Sequence, residues 1–147
     1  MVGFELTESL TGELRLASDG GVVPIFVTIH GKTSSIATFL RHRTLTIDGV
    51  IDAPGFADHR PITGAIDTSK LFTQRRLEYA FTFLGDHGAT CAFTGERRFV
   101  PRNVVVSLTL LGGVIRDADL ARVGDVLLRF DLRGDLLRFA QSLHFTR

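Results

Sequence analysis

The chain has 147 residues, of which 44% are hydrophobic and 22% are charged, a size and composition typical of one domain with a single core. Its 17 basic and 16 acidic side chains leave a formal net charge of +1, which excludes a general attraction to nucleic acid or anionic lipid. No run of about 18 apolar residues occurs, so no membrane-spanning helix is predicted. We expect a single domain over residues 1–147.

The cellular compartment is predicted from the lone cysteine and the N-terminus. Cys91 cannot form an intramolecular disulfide, and the chain turns acidic at Glu5 without the basic, apolar and small-residue regions of a secretion signal. We therefore expect a cytoplasmic protein. An alternating pattern continues into residues 143–147, and we interpret the domain as excised from, or homologous to part of, a longer protein.

Alternation of apolar and polar residues predicts strands along most of the chain. The clearest case is residues 77–83, where the large apolar side chains fall on every second position. Residues 85–88, Gly-Asp-His-Gly, connect this strand to the next in a predicted hairpin. The full set of predicted strands is 7–16, 22–30, 44–52, 62–67, 77–83, 89–93, 104–111 and 126–132. Turn residues at 18–21, 52–55 and 101–103 separate several of them.

Short helices are predicted in three places. Hydroxyl groups at residues 33–35 can cap an apolar stripe over 36–40, and Asp135 can cap a similar segment over 136–140. Residues 117–124 have an acidic start and a glycine at the end, which indicates one helical turn. Each segment is too short to be stable alone, so we expect it to pack over a sheet or plug the end of a barrel.

Two stretches of the chain are imperfect copies of each other. Residues 10–13, Leu-Thr-Gly-Glu, recur as residues 93–96, Phe-Thr-Gly-Glu, and each copy is followed by another apolar strand. The repeat indicates one β module used twice. Because closure removes exposed strand edges, the hairpin-rich order favours a barrel. We predict an all-β fold with two or three short helices: a pseudo-duplicated, calycin-like antiparallel β-barrel, with a β-sandwich as the alternative.

Candidate ligand-binding residues follow from the repeat and from the aromatic composition. Twelve of the thirteen aromatic residues are phenylalanine, and phenylalanine inside a barrel can line a cavity that favours acyl chains, sterols or similar ligands. Glu13 and Glu96 occupy equivalent repeat positions and would meet inside such a barrel, although each could instead face solvent. The interior candidates are Glu13, Tyr79, Phe81, Phe83, Phe93 and Glu96.

No catalytic or metal-binding constellation is found. The five histidines, at positions 30, 42, 59, 87 and 144, lack the close spacing of a zinc site. The glycine-rich segments lack the residue order of a phosphate-binding loop. Asp58, His59 and Arg60 are adjacent, but adjacent residues on a strand seldom converge on one point. Cys91 lies on the apolar face of its strand and is interpreted as a core thiol. We predict no catalytic residue, metal or cofactor.

The order of several short motifs resembles a known type of domain. The chain is similar to a β-rich accessory domain of bacterial multidomain proteins related to cholesterol oxidase and other glucose-methanol-choline-type oxidoreductases. The motifs that carry the resemblance are residues 4–12, 45–50, 62–64, 77–83, 93–97 and 134–143. The resemblance implies a module that accompanies lipid-directed enzymes. It supplies no catalytic residues, and the chain lacks a dinucleotide-binding glycine pattern, so flavin oxidation is not implied.

Three functions are therefore considered. The favoured one is a non-catalytic barrel that binds an apolar, lipid-like molecule. The second is a structural or interaction domain that forms a homo-oligomer or pairs with a neighbouring oxidoreductase domain. The third is a small barrel isomerase or cyclase that uses an acid among Glu13, Glu78 and Glu96, or a histidine such as His30.

Overall fold

The structure, a computed structural model, describes residues 3–33, 41–98, 110–129 and 144–146. This part of the chain contains nine strands and one short helix, and residues 41 and 42 are also helical. In chain order the elements are β1 (Gly3–Leu16), β2 (Val22–Thr33), β3 (Thr44–Ala53), β4 (Ala57–Asp67), α1 (Leu71–Gln74), β5 (Arg76–Leu84), β6 (Thr90–Arg98), β7 (Leu110–Asp117), β8 (Arg122–Arg129) and β9 (His144–Thr146).

Strands β1 to β8 form a closed antiparallel barrel. Each strand pairs with the next one along the chain, and β8 pairs back onto β1. β1 is the longest strand: it pairs with β2 along its length, with β9 at Gly3–Glu5, and with β8 at Thr11–Leu16. The predicted antiparallel barrel is confirmed, and the sandwich alternative is wrong, because the first and last strands of the meander are hydrogen-bonded to each other.

The two ends of the barrel differ in their connections. At one end, which we call the turn end, consecutive strands are joined by residues 17–21, 54–56, 85–89 and 118–121. A backbone hydrogen bond of 2.9 Å from Asp86 N to Phe56 O joins two of these turns. At the other end, the loop end, the connecting segments are residues 34–43, 68–75, 99–109 and 130–143, of which the structure describes 41–43 and 68–75.

Six of the predicted strands coincide with β1 to β6, with ends that differ by a few residues. The prediction of a helical turn over residues 117–124 is wrong. Asp117 ends β7, and its Oδ1 accepts hydrogen bonds from the backbone N of Asp119 and Ala121, each at 2.9 Å. These bonds reverse the chain in a tight turn, after which Arg122 begins β8. The predicted helices over 36–40 and 136–140, and predicted strand residues 104–109 and 130–132, lie outside the described residues.

The core lies inside the barrel. Because side chains alternate across a strand, every strand from β1 to β8 places at least one apolar side chain inside with 4% exposure or less. Examples, one from each strand, are Leu10, Ile25, Ile47, Ile62, Phe81, Phe93, Leu111 and Leu128. Phe81 and Phe93 stack with ring centroids 4.7 Å apart, and Phe56 meets Phe83 edge-on at 5.9 Å.

Glycine permits two close contacts that shape this core. A Cβ at Gly12 would lie 1.8 Å from the carbonyl oxygen of Leu127, so only glycine allows β1 and β8 to approach so closely. Gly95 and Gly113 are directly paired across β6 and β7, and a Cβ on either would lie 2.6 Å from the Phe93 ring. The Phe93 ring therefore uses the space that this pair of glycines leaves inside the barrel.

The two copies of the short repeat lie in β1 and β6. In each copy the first residue, Leu10 or Phe93, is 1% exposed and packs in the core. The copies thus occupy similar local positions in their strands. Duplication of a larger module stays a prediction.

Candidate functional site

Three polar side chains meet inside the barrel. Glu8 comes from β1, Tyr79 from β5 and Arg97 from β6, and their exposures are 3%, 2% and 3%. Glu8 lies two positions before Leu10, and Arg97 lies four positions after Phe93, so each shares the inward face of that core residue. We call these three residues the buried cluster.

Hydrogen bonds hold the buried cluster together. The Tyr79 hydroxyl donates to the Glu8 carboxylate, 3.1 Å from Oε1 and 3.3 Å from Oε2. Arg97 Nη2 donates to Glu8 Oε2 at 3.0 Å. The guanidinium carbon of Arg97 also lies 5.2 Å from the centroid of the Tyr79 ring, within the range of a cation–π contact. A carboxylate, a guanidinium and a phenol therefore form one compact hydrogen-bonded group.

The protonation state of Tyr79 follows from its surroundings. Burial raises the pKa of the Tyr79 phenol far above its ordinary value, and the negative charge of Glu8 raises it further, whereas Arg97 acts in the opposite direction. The phenol stays protonated at physiological pH. Tyr79 is therefore a fixed hydrogen-bond donor to Glu8.

The buried cluster lies in the half of the barrel nearer the loop end. Tyr79 is three residues from the start of β5, and Arg97 is next to the last residue of β6. Farther toward the turn end, the inward positions of these two strands carry Phe81, Phe83 and Phe93. The interior is therefore amphipathic along the barrel axis, with a polar group toward one end and aromatic rings beyond it.

Energetics make the buried cluster a candidate site. Removing two charges from water costs several kcal/mol for each ion, and well-packed apolar residues of similar volume often stabilise a core equally well. A charged pair within an apolar barrel is thus a weak contributor to net stability. Buried ionisable groups with a specific partner are common in functional sites.

The structure separates the six interior candidates into two groups. Tyr79, Phe81, Phe83 and Phe93 lie inside the barrel, each no more than 4% exposed, as predicted. Whether they bind a ligand stays a prediction.

The expectation that Glu13 and Glu96 meet inside the barrel is wrong. Leu14 points inward, so its neighbour Glu13 points outward and is exposed. Glu96 also lies on the outer face, where it pairs with Arg76 and Arg98. The repeat places the two glutamates equivalently, but on the solvent side of their strands.

Two residues of the buried cluster, Glu8 and Arg97, were missed in the sequence. A signal was present in the alternation itself: Glu8 falls on the same strand face as Leu10 and Leu14, and Arg97 on the same face as Cys91 and Phe93. Opposite charges on the apolar faces of two strands are the pattern that would have indicated a buried ion pair.

A groove of about 550 Å³ lies on the outer face of β4 to β7. Its floor consists of small residues, and its edge carries Asp67, Glu78 and Glu96 in directly paired positions. Like charges in such a row destabilise a sheet unless they are compensated.

Basic side chains compensate two of these acids. Glu78 pairs with Lys70 at 2.7 Å and with Arg76 at 3.1 Å. Glu96 pairs with Arg76 at 3.5 Å and with Arg98 at 2.7 Å. These ion pairs satisfy the Glu78 and Glu96 carboxylates.

A smaller groove of about 320 Å³ lies on the outer face of β1 to β3. Residues Thr7, His30, Lys32 and Asp48 contribute to its walls, and Thr7 Oγ1 and His30 Nδ1 are hydrogen-bonded at 3.1 Å.

Within residues 3–33, 41–98, 110–129 and 144–146, no group of three or more His, Cys, Asp or Glu side chains could hold a metal ion. No helix in this same part of the chain is long and apolar enough to cross a bilayer.

Asp86 ties two turns together at the turn end. Its Oδ1 accepts hydrogen bonds from Asp58 N at 2.7 Å and from Arg60 Nε at 3.0 Å. Thus Asp58 and Arg60, two positions apart on β4, converge on Asp86, whereas His59 between them bonds to Asp52 instead. The bond from Asp58 N lowers the pKa of the Asp86 carboxyl, and Arg60 lowers it further.

The lowered pKa of Asp86 predicts a pH-dependent contribution to stability. A carboxyl with a lower pKa in the folded state contributes fully above its unfolded pKa of about 4, and that contribution is lost as the pH falls through the folded pKa. Asp86→Asn removes this titration. We expect the difference in melting temperature between wild type and Asp86→Asn, followed by circular dichroism from pH 7 to pH 2, to shrink as the pH falls. A difference that is constant with pH would contradict the assignment.

Cys91 is a core thiol, as the alternation predicts. It is 2% exposed, and burial raises the pKa of its thiol, with Asp117 contributing in the same direction.

The burial of Cys91 predicts slow reaction of its thiol with Ellman's reagent. At pH 8 we expect the rate in the native protein to be lower than the rate in guanidinium by a factor of about 10³ or more, because reaction requires opening of the barrel. Equal rates in the two conditions would show that the strand edge around Cys91 is already open.

In comparisons of the chain with known proteins, no family model, no curated protein and no solved structure matches.

Proposed function

We propose that this protein is a non-catalytic binding barrel that holds one apolar, lipid-like molecule. The observation that carries the proposal is the amphipathic interior: the buried cluster of Glu8, Tyr79 and Arg97 lies toward the loop end, and aromatic rings lie beyond it. A molecule with an apolar body and a polar tip would match both parts.

The dimensions of the fold support this proposal. An eight-stranded barrel is just wide enough to be filled by side chains or to hold one small ligand. Phe81, Phe83 and Phe93 offer aromatic surface in a continuous group, with ring centroids 6.3 Å apart for the first pair and 4.7 Å apart for Phe81 and Phe93. Ligand pockets are lined mostly by such apolar and aromatic side chains, with a few polar groups that orient the ligand.

The resemblance to an accessory domain of lipid-directed bacterial oxidoreductases supports the same class of ligand. In such a setting the barrel would hold a lipid-like molecule for a neighbouring enzyme or pair with that enzyme. The interior aromatic residues fit the first of these two roles. We propose no oxidation step for this chain.

The experiment is native mass spectrometry of the protein purified from its own host, followed by organic extraction and identification of the released molecule. We expect one apolar molecule per chain. As a matched pair of variants, Phe81→Ala in the interior should lower the bound fraction, whereas Phe26→Ala on the outer face should not. A protein that is empty as isolated and that binds no apolar fluorescent probe in solution would overturn the proposal.

An interaction domain is the second candidate. Three large apolar side chains on the outer face, Phe26, Leu110 and Leu127, are 49%, 42% and 43% exposed. Phe26 and Leu127 flank β1 from opposite sides, opposite Thr11 and Glu13 in the register. Light scattering tests this candidate: a dimer that Phe26→Ser or Leu127→Ser converts to a monomer would support it, and a monomer at high concentration would contradict self-association.

The isomerase or cyclase alternative has less support. Glu13, Glu78, Glu96 and His30, the residues named for it from the sequence, all lie on the outer face. They do not share a site inside the barrel. Among the described residues, the buried acid is Glu8, and its contacts to Arg97 and Tyr79 suit recognition of a polar group.

A further inference from the structure

We propose that the loop end of the barrel docks on the surface of an anionic lipid bilayer. The contact is made by a basic rim, which we define as Arg41, Arg43, Lys70 and Arg75. In this arrangement the barrel stands upright on the bilayer, with its turn end in water. The proposal goes beyond the molecule assigned to the interior and does not depend on it.

Charge is divided between the two ends of the barrel. The four connections at the loop end contain seven Lys or Arg residues and two acidic residues, whereas the four connections at the turn end contain three acidic residues and no Lys or Arg. The seven bases are Arg41, Arg43, Lys70, Arg75, Arg102, Arg133 and Arg138. The net charge of +1 for the whole chain conceals this separation. A negatively charged surface therefore attracts the loop end and repels the turn end.

Two segments of the loop end meet at the basic rim. Thr68 donates two hydrogen bonds to the Arg43 carbonyl oxygen, one from its backbone N and one from Oγ1, both of 2.8 Å. This contact holds residues 41–43 against residues 68–75. Lys70 is paired with Glu78 at 2.7 Å.

The three arginines of the basic rim are available to an anionic partner. Arg41, Arg43 and Arg75 are all exposed. In the part of the chain that the structure describes, none of the three forms an ion pair. Guanidinium groups form bidentate hydrogen bonds with phosphate and carboxylate oxygens, the anionic groups of lipid head groups.

The backbone at Arg43 and Arg75 indicates a use for their side chains. Both residues are in the left-handed conformation, with φ of 57° and 54°. Each follows a helical segment, residues 41–42 in one case and α1 in the other, and glycine is the usual residue at such a position. The left-handed conformation is strained for arginine and unstrained for glycine. Folding alone therefore favours glycine at both positions, and arginine there points to a role at the surface.

The distribution of the bases fits a plane better than a linear polymer. Each of the four loop-end connections contains at least one Lys or Arg, so the bases are divided among all the connections at the barrel mouth. A nucleic-acid site is instead a basic patch or stripe on one face. Large apolar residues also adjoin the rim: residues 39–40 are Phe-Leu, immediately before Arg41. Residues 71–72 are Leu-Phe, immediately after Lys70. Such mixed basic and apolar segments are typical of contacts with a bilayer interface.

The test is cosedimentation of the full chain with vesicles of phosphatidylserine and phosphatidylcholine in a molar ratio of about 1:2. Vesicles of phosphatidylcholine alone provide the uncharged comparison. We expect binding to the anionic vesicles at about 0.1 M salt and its loss at about 1 M salt, where the Debye length falls to about 3 Å. Binding to the uncharged vesicles should be weaker by at least about tenfold.

Arg43→Gly/Arg75→Gly is the decisive variant. Each base near an anionic surface changes the affinity about fivefold, so removal of two should weaken vesicle binding about 25-fold. Because glycine fits both left-handed positions, this variant should melt at the same temperature as wild type or higher. The matched control is Arg116→Gln/Arg122→Gln, which removes the same charge from exposed residues near the turn end; its affinity should change less than about twofold.

The proposal is overturned if wild type does not bind the anionic vesicles at low salt, or if both double variants weaken binding equally. Tighter binding to a DNA duplex than to the anionic vesicles would assign the basic rim to nucleic acid and would also overturn it. If Arg43→Gly/Arg75→Gly does not fold by circular dichroism, Arg43→Asn/Arg75→Asn replaces it, because asparagine also adopts the left-handed conformation. The same weakening is expected, and unchanged binding would overturn the proposal.

Discussion

Replacing Arg97 with methionine should lower the free energy of unfolding by about 3–5 kcal/mol, because it leaves the Glu8 carboxylate buried without a compensating cation. Arg97 and Glu8 are both 3% exposed, so water cannot replace the lost partner without opening the barrel. Methionine keeps much of the apolar stem and removes the charge. The measurement is urea unfolding at pH 7, followed by circular dichroism.

Two further variants identify the source of this loss. Arg98→Met removes the neighbouring arginine, whose side chain is 70% exposed and pairs with Glu96 on the outer face; we expect a change below about 1 kcal/mol. The double variant Glu8→Leu/Arg97→Met removes both charges and should recover much of the stability. An Arg97→Met protein as stable as Arg98→Met would show that the ion pair is accessible to water.

Replacing Phe93 with alanine should cost about 3–5 kcal/mol of stability, the usual loss for a large aromatic residue in a packed core. Phe93 is 1% exposed, stacks on Phe81 and covers the paired glycines Gly95 and Gly113. Those glycines have no side chains that could refill the space. The cavity should therefore stay open, which places the expected loss toward the upper part of that range.

The control for Phe93 is a phenylalanine of the outer face. Phe26 is 49% exposed, and Phe26→Ala should change the free energy of unfolding by less than about 1 kcal/mol, since little apolar area becomes exposed. Phe93→Leu should lie between the two alanine variants. Similar losses for Phe93→Ala and Phe26→Ala would contradict the packing of the Phe93 ring over the glycine pair.

Local periodicity was sufficient to predict most strands and the inward-facing apolar residues of β5 and β6. In residues 77–83, the side chains of Tyr79, Phe81 and Phe83 alternate with smaller or polar ones, and the structure buries all three. The turn after Asp117 was not predicted, because an acidic residue before a short apolar segment also begins helices. What determined the outcome was the Asp117 side chain, which bonds to the backbone of the turn instead of capping a helix.

Periodicity alone could mark Glu8 and Arg97 as charges on inward strand faces, but it could not show that the two side chains meet. Glu8 and Arg97 are 89 positions apart, and their contact depends on closure of the barrel, which no local pattern encodes. Each residue also violates the rule that inward positions are apolar, and the compensating partner lies on a distant strand. The repeat drew attention instead to Glu13 and Glu96, which have the same local setting as each other but face away from the core.

The pairing of β1 with β8 has a consequence for how the chain assembles. Every other ladder from β1 to β8 joins strands that follow each other in sequence, whereas this seam joins residues 11–16 to residues 124–129. Sequential hairpins can form early, because each closes a short loop, but the seam must wait for the opposite ends of the meander to meet. Substitutions along the seam, at Gly12 above all, should slow barrel closure while the preceding hairpins form normally. Circular permutants opened in the turn at residues 85–89 would shorten the loop that this seam closes, because residue 129 would then be connected to residue 11 through residues 130–147, a linker and residues 1–10.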